Sequence, residues 1–339
     1  MKILLASHVF YPSIGGIEAV SSMLAHEFVA LGHEVKLVTQ TPAIATDDKT
    51  FSFEIIRKPK PHQLIQLLSW CDIFFQNNIS IQTWWATLLI PKPWVVTHQT
   101  WIRRVSGELG WQDHFKRFLL KFATCVSISQ SVAQHLVTPS IVIGNPYYDN
   151  LFHELPEINR DLELVFLGRL VSDKGVDLLI TALSNLKKDY NLTSRLTIVG
   201  TGPEENLLHN LSKKFGVSNQ VNFVGSKTGV ELVELLNSHK IMVVPSRWME
   251  PFGVVALEGI ACGCVVVGSE GGGLKDAIGA CGVTFPNGDV EALTQALASL
   301  LSNPSELATY KSYSHKHLSQ FKKKTVAQAY IKLFEDVIK

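Results

Sequence analysis

Two cations and two carboxylates have the types and spacing to handle a phosphate and a sugar. Arg169 and Lys174 lie five residues apart in Gly168-Arg169-Leu170-Val171-Ser172-Asp173-Lys174-Gly175. A guanidinium fork and an ammonium point charge across one turn suit a diphosphate, each charge-assisted bond being worth about 1.5–3 kcal/mol. The alternative is a surface Arg and a Lys at a helix start, where a cation is disfavoured unless an anion is close. Glu250 and Glu258 bracket the segment Pro251-Phe252-Gly253-Val254-Val255-Ala256-Leu257. Pro251 presets a first helical turn, which predicts Glu250 in the loop ahead of a helix and Glu258 about two turns inside it. Such a pair suits the hydroxyls of a sugar and a ribose on either side of a phosphate; otherwise they are a surface and a capping residue. Earlier in the chain, Tyr11-Pro12-Ser13-Ile14-Gly15-Gly16-Ile17-Glu18 places two glycines before an amphipathic stretch. Gly15 and Gly16 either make a tight turn or let helix N-terminal amides face an anion. No third glycine completes a dinucleotide fingerprint, and no G-x-x-x-x-G-K-[ST] occurs.

Residues of this kind need strand ends to hold them, and the chain supplies such ends throughout. Short apolar runs alternate with amphipathic stretches, the pattern of parallel strands covered by helices, so the fold class is α/β. Strands are predicted at Ile3 to Ala6, Val35 to Thr39, Ile73 to Gln76, Trp94 to Thr97, Cys125 to Ile128 and Ile141 to Ile143. A second series follows at Leu164 to Leu167, Leu196 to Val199, Val221 to Val224, Ile241 to Val244 and Val265 to Val267. Asn145 to Arg160, with Pro146 and Pro156, reads as a linker. The division expected is a first unit over 1–150, a second over 151–322, and a terminal helix in 323–339.

With 31 Lys plus Arg against 30 Asp plus Glu, the chain has no global field for nucleic acid or an anionic membrane. Any such contact must be a local patch. One candidate is Arg103, Arg104, Lys116, Arg117 and Lys121, which fits a phosphate-bearing acceptor or an anionic membrane surface. Six of the seven Trp fall between Trp70 and Trp111; they are core packing or a stacking platform for an acceptor. Cys71, Cys125, Cys262, Cys264 and Cys281 read as small buried hydrophobes in a reducing, cytoplasmic compartment. Cys262 and Cys264 have no partner pair at zinc spacing, no D-x-D occurs, and no metal or other cofactor is expected.

Together, P-x-x-G-G-x-E, G-R-L-x-x-x-K-G, E-P-F-G-x-x-x-x-E and the Gly271-Gly272-Gly273 turn resemble the family 4 retaining glycosyltransferases over nearly the whole chain. The resemblance implies a GT-B fold, two doubly wound Rossmann-like domains facing a deep interdomain cleft, with the terminal helix crossing back to the first. It implies that Arg169 and Lys174 neutralise the departing nucleoside diphosphate and that Gly15 and Gly16 approach its β-phosphate. Glu250 would bind donor-sugar hydroxyls and Glu258 the ribose. Amides of Phe252, Gly253 and Val254 would face sugar and phosphates, and the base would lie near Gly225 and Ser226. His98, a strand-end histidine that is structural in most settings, matches one placed near the donor sugar. Asn145-Pro146, Gly259 and Cys264 depart from the family pattern in packing more than in chemistry. The expected activity is metal-independent, retaining transfer of a hexose, UDP-glucose being the donor by family habit, in polysaccharide, glycolipid or small-molecule glycoside synthesis. The acceptor is a carbohydrate, lipid-linked or small-molecule hydroxyl compound, with Trp101 and Arg103 as its candidate contacts. A peripheral contact with the inner membrane face fits the basic patch; nucleic acid does not. A nucleotide-sugar 2-epimerase and a non-catalytic assembly member share this architecture.

Overall fold

A computed structural model describes residues 1–13, 15–42, 48–102 and 110–339. Close packing divides the chain into unit 1, Met1–Pro146 with Phe321–Lys339, and unit 2, Tyr147–Gln320.

Unit 1 is built on seven parallel strands: β1 (Lys2–Ser7), β2 (Glu34–Thr39), β3 (Glu54–Arg57), β4 (Ile73–Asn77), β5 (Trp94–His98), β6 (Thr124–Ser127) and β7 (Ser140–Val142). Their order is β3-β2-β1-β4-β5-β6-β7. β1, β4 and β5 are buried on both faces, which is why they read as unbroken apolar runs. One face packs Leu4, Phe74, Val96 and Cys125 against the helix Pro61–Trp70. On the other, Phe75 meets Tyr330 and Phe334 of the final helix, Lys323–Ile338, at ring separations of 5.2 and 5.3 Å. Phe28 of the first helix, Gly16–Ala30, joins them 5.6 Å from Phe334. The Tyr330 hydroxyl bonds Thr97 Oγ1 at 2.9 Å inside this core.

Unit 2 carries β8 (Leu162–Leu167), β9 (Leu196–Val199), β10 (Val221–Phe223), β11 (His239–Val244), β12 (Val265–Ser269) and β13 (Gly282–Phe285), in the order β10-β9-β8-β11-β12-β13. Both sheets thus run 3-2-1-4-5-6, the doubly wound order, with β7 added in unit 1. The core of unit 2 joins Phe166, Ile198, Val243 and Val267 to Leu179, Leu183 and Leu297 of two covering helices.

β3 and β13 were not among the expected strands. Each is an edge strand of four residues with one fully buried position or none, so neither needs a continuous apolar run. The helix after β11 also starts later than Pro251 predicts, at Val254. Glu250 pairs with Gly272 in an isolated parallel bridge, which keeps the chain extended, and Gly253 sits in the left-handed region, φ 101°, outside a right-handed helix. Glu258 is therefore just over one turn into the helix instead of two. All five cysteines are free and buried, and burial pushes every one of their thiol pKa values up.

Candidate active site

The charged residues of unit 2 come from the loops that follow β8 and β11, adjacent strands at which the sheet order reverses. Beyond β8 the chain passes the exposed Arg169 and enters a 3-10 turn, Ser172–Lys174. Beyond β11 it passes Pro245, Ser246 and Arg247 to reach Glu250. There the Lys174 ammonium donates to Glu250 Oε1 at 2.5 Å, and Ser246 Oγ donates to the same oxygen at 2.7 Å. The anion that a Lys at a helix start calls for is thus supplied by the chain itself.

These loops are fastened to one another. Arg247 N and Trp248 N donate to Asp173 O at 2.8 and 3.2 Å, and the Arg247 guanidinium forks onto Asp177 at 2.5 and 2.6 Å. Asn287, just beyond β13, donates to Ser246 O at 3.1 Å and accepts from Gly271 N at 2.6 Å. Gly273 N donates to Glu250 O, also at 2.6 Å. Two close approaches require glycine. A Cβ on Gly175, φ 68°, would lie 2.1 Å from Pro245 O, and one on Gly272, φ 81°, would lie 2.2 Å from Glu250 O. The sequence does not single out Ser246 or Asn287: Ser246 lies four residues before Glu250, and nothing in the local pattern marks Asn287.

Phe252, Gly253 and Val254 lead into the helix Val254–Ala261, whose start has no side-chain cap. Burial pushes the Glu258 carboxyl up to about 8, so in the free protein it is mostly protonated at pH 7. Tyr148 stands near enough that the Glu258 charge, after burial, raises its phenol pKa. Gly225 and Ser226 follow β10, with Gly225 O accepting from Gly200 N at 2.8 Å and Ser226 Oγ 3.3 Å from Thr201 Oγ1. Arg169 forms no ion pair among the described residues, and neither it nor Ser226 bonds to Lys174 or Glu250.

In unit 1, Gly15 is extended and immediately precedes the helix Gly16–Ala30, which has no side-chain cap; Ile14 lies outside the described residues. A Cβ on Gly16 would meet nothing within 4 Å. His98 ends β5 at 1% exposure, its Nε2 without a partner, and burial lowers its pKa to about 4, so it is neutral at pH 7. Where the order of this sheet reverses, at the carboxyl ends of β1 and β4, lies a cavity of about 540 Å³. His8, Asn77, Asn78, Gln82, Trp111 and Lys116 are among its lining residues. Asn77 is fully buried there, and its Oδ1 has no hydrogen-bond partner.

Of the two acceptor candidates, Trp101 is 7% exposed and packs edge-on to His135, ring centroids 5.3 Å apart. Arg103 lies outside the described residues, as does Arg104. Trp111, by contrast, is 71% exposed. Trp94 is buried in the core of unit 1, with Trp70, Trp84 and Trp85 packed against it. Among the described residues no group of three or more His, Cys, Asp or Glu is placed to hold a metal ion.

The sequence model of the family described as glycosyl transferases group 1 matches residues 148–317, which is unit 2 almost in full. A glycogen synthase of Mycobacterium tuberculosis is 38% identical over 170 residues, 49% of this chain and 41% of that one. A D-inositol 3-phosphate glycosyltransferase of Rhodococcus jostii is 31% identical over 171 residues, 48% of this chain and 37% of that one. The matches therefore span about two fifths of the length of these relatives. Among solved structures, Anabaena HepE in complex with UDP superposes with a TM-score of 0.84 at 19% identity, covering 99% of this chain and all of that one. A sucrose-phosphate synthase from Thermosynechococcus elongatus gives 0.78 at 18% identity over 99% and 98% of the two chains. These likenesses identify the architecture as GT-B.

Proposed function

Since the chain belongs to the glycosyl transferases group 1 family, we propose that it is a retaining, metal-independent hexosyltransferase that moves glucose from UDP-glucose to a hydroxyl acceptor. The observation that carries this reading is the contact of Lys174 with Glu250 on two loops at one strand-order reversal. A cation beside a carboxylate is the pair that a sugar phosphate needs, the first for its phosphate and the second for its hydroxyls. The UDP-glucose complex of HepE supports the choice of donor.

In this reading the diphosphate takes Lys174 from Glu250 and is clamped between Lys174 and Arg169, freeing the carboxylate to accept from sugar hydroxyls. The bond from the anomeric carbon to the β-phosphate oxygen breaks, the acceptor oxygen bonds that carbon on the same face, and its proton passes to the departing phosphate. Fixed charge at a developing leaving group is worth about 100- to 1,000-fold in rate per group. The amides of Phe252, Gly253 and Val254 serve the phosphates, Glu258 the ribose, and Gly225 and Ser226 the base. In unit 1 the reading assigns Gly15 and Gly16 to the phosphates and His98 to the sugar. As a neutral imidazole, His98 offers one donor and one acceptor. The acceptor belongs in the unit 1 cavity, whose amide side chains and exposed indole suit a carbohydrate, alone or lipid-linked. Polysaccharide or glycolipid synthesis is the setting that follows.

A thermal-shift panel of UDP-glucose, GDP-mannose and UDP-N-acetylglucosamine tests the donor, since a ligand at about 100 times its Kd stabilises by about 2.7 kcal/mol. UDP-glucose should give the largest shift; a larger one with GDP-mannose would replace it. Anomeric analysis of the product then tests retention. Transfer that EDTA abolishes and a divalent cation restores would end the metal-independent reading, and a new sugar nucleotide formed from donor alone would make the protein an epimerase.

A further inference from the structure

The helix Trp111–Leu119 and the 3-10 turn Leu120–Phe122 carry apolar side chains on two sides. The inward side is ordinary: Leu119 and Leu120 are buried, and Phe115 sits edge-on to Trp84 at 5.7 Å. The outward side carries Trp111, His114 and Phe118 at positions i, i+3 and i+7, one face of a helix, where a globular protein places polar residues. Phe122 extends that face, its ring 5.6 Å from Phe118. Trp111, Phe118 and Phe122 are 71%, 51% and 69% exposed. Three large aromatics exposed on one face cost solubility unless something covers them.

Charge says what covers them. Between Ile73 and Tyr148 the sequence has six Lys or Arg and two carboxylates, Glu108 and Asp113. Asp113 is engaged at the helix start, accepting from Gly110 N at 2.9 Å. Lys121 is exposed on this segment and Lys116 is half-buried beside it, so no described carboxylate between Trp111 and Phe122 is left to oppose an anionic surface. Aromatics that enter the headgroup region, ringed by cations that meet anionic lipid, are the makings of an interfacial helix. Among the described residues no helix is long and apolar enough to cross a membrane, so the contact is one of seating and not of spanning.

We propose that Trp111, Phe118 and Phe122, with Lys121, seat unit 1 on an anionic lipid bilayer. Trp111 and Lys116 also line the cavity at the ends of β1 and β4. Resting on the reading of that cavity as the acceptor site, the seat would present it to acceptors anchored in the same bilayer.

The test is sedimentation of the full chain with vesicles of phosphatidylcholine alone and with phosphatidylglycerol added, without any sugar donor, so that its outcome is independent of the transferase reading. Binding is expected to the phosphatidylglycerol vesicles, weakening as salt rises. Phe118→Ser with Phe122→Ser should reduce partitioning at least about tenfold, and Lys121→Glu by about fivefold or more on the anionic vesicles. An unchanged urea midpoint shows that these exposed positions leave the fold intact. Failure of the wild-type chain to bind, or equal binding by the double variant, overturns the proposal. A concentration-dependent dimer in sedimentation velocity, abolished by the same double variant, would give the face to a second copy and overturn it too.

Discussion

Each sheet reverses its strand order once, between β1 and β4 in unit 1 and between β8 and β11 in unit 2, and the two places are furnished differently. In unit 2 the loops after β8, β11, β12 and β13 are tied by hydrogen bonds and by glycines that admit no Cβ, and they hold charge. In unit 1 the same place is a cavity walled by amides, an imidazole and an indole, with Lys116 as its cation among the named lining. Stabilising a leaving charge requires dipoles and ions that do not reorganise as it forms, and that is the kind of bracing the proposed function asks of unit 2. Recognising a neutral hydroxylated molecule needs shape and hydrogen bonds, and those tolerate a looser wall.

The largest test of that contrast is kinetic. Lys174→Ala or Arg169→Ala should lower kcat about 100- to 1,000-fold, whereas Gln82→Ala in unit 1 should raise the acceptor KM with little change in kcat. Steady-state rates in both substrates check this, and a pure KM effect from Lys174→Ala would erase the distinction.

Stability comes next. Gly175→Ala forces a Cβ to 2.1 Å from Pro245 O at a left-handed φ and should cost about 3 kcal/mol or more in urea unfolding. Gly16→Ala, at the first helical position and facing open space, should stay within about 1 kcal/mol of wild type, on the stable side. If the second substitution nevertheless suppresses transfer, the opening above Gly16 is used by a ligand.

The two units should also answer pH in opposite directions. His98 titrates at about 4 when folded against 6.5 when unfolded, so the unfolded chain binds more protons between those values and stability falls as the pH drops through them, by about 3 kcal/mol. Glu258, raised from 4.5 to about 8, binds more protons when folded, and its contribution is lost as the pH rises through that window. Urea midpoints against pH for His98→Gln and Glu258→Gln should each flatten one limb. The smallest effect concerns binding. Ribose hydroxyls that donate to Glu258 favour its ionised form, so nucleotide binding should release up to one proton near pH 7. Calorimetry in buffers of different ionisation enthalpy reads this, and Glu258→Gln should abolish it.

Unit 2 was the more legible half because its strand-end loops carry charged residues and glycines in short motifs. Lys174 and Glu250 are local signals at strand ends that spacing brought to notice, while Gly175 and Gly272 stand in the motifs that carry the family resemblance. What escaped was set by tertiary context: Asn287 acts through loops distant in sequence, and β3 and β13 are edge strands without a strong apolar run. In unit 1 the tryptophans were visible, but which of them faces solvent was not. Only packing shows that His135, distant in sequence, lies against Trp101. Pro251 misled because a bridge from Glu250 to Gly272, invisible locally, outweighs its preference for a helix start.

Tyr330 and Phe334 have a consequence for the chain as it is made. Phe28 and Phe75 are translated before unit 2, yet the rings that cover them are translated only after it. The whole of Tyr147–Gln320 intervenes, a wait of roughly ten to thirty-five seconds at about 5–20 residues per second. Unit 2, being continuous, can close during that interval, so unit 1, begun before it, is completed after it. Until then its unfinished aromatic face is the part of the nascent chain that a chaperone would find.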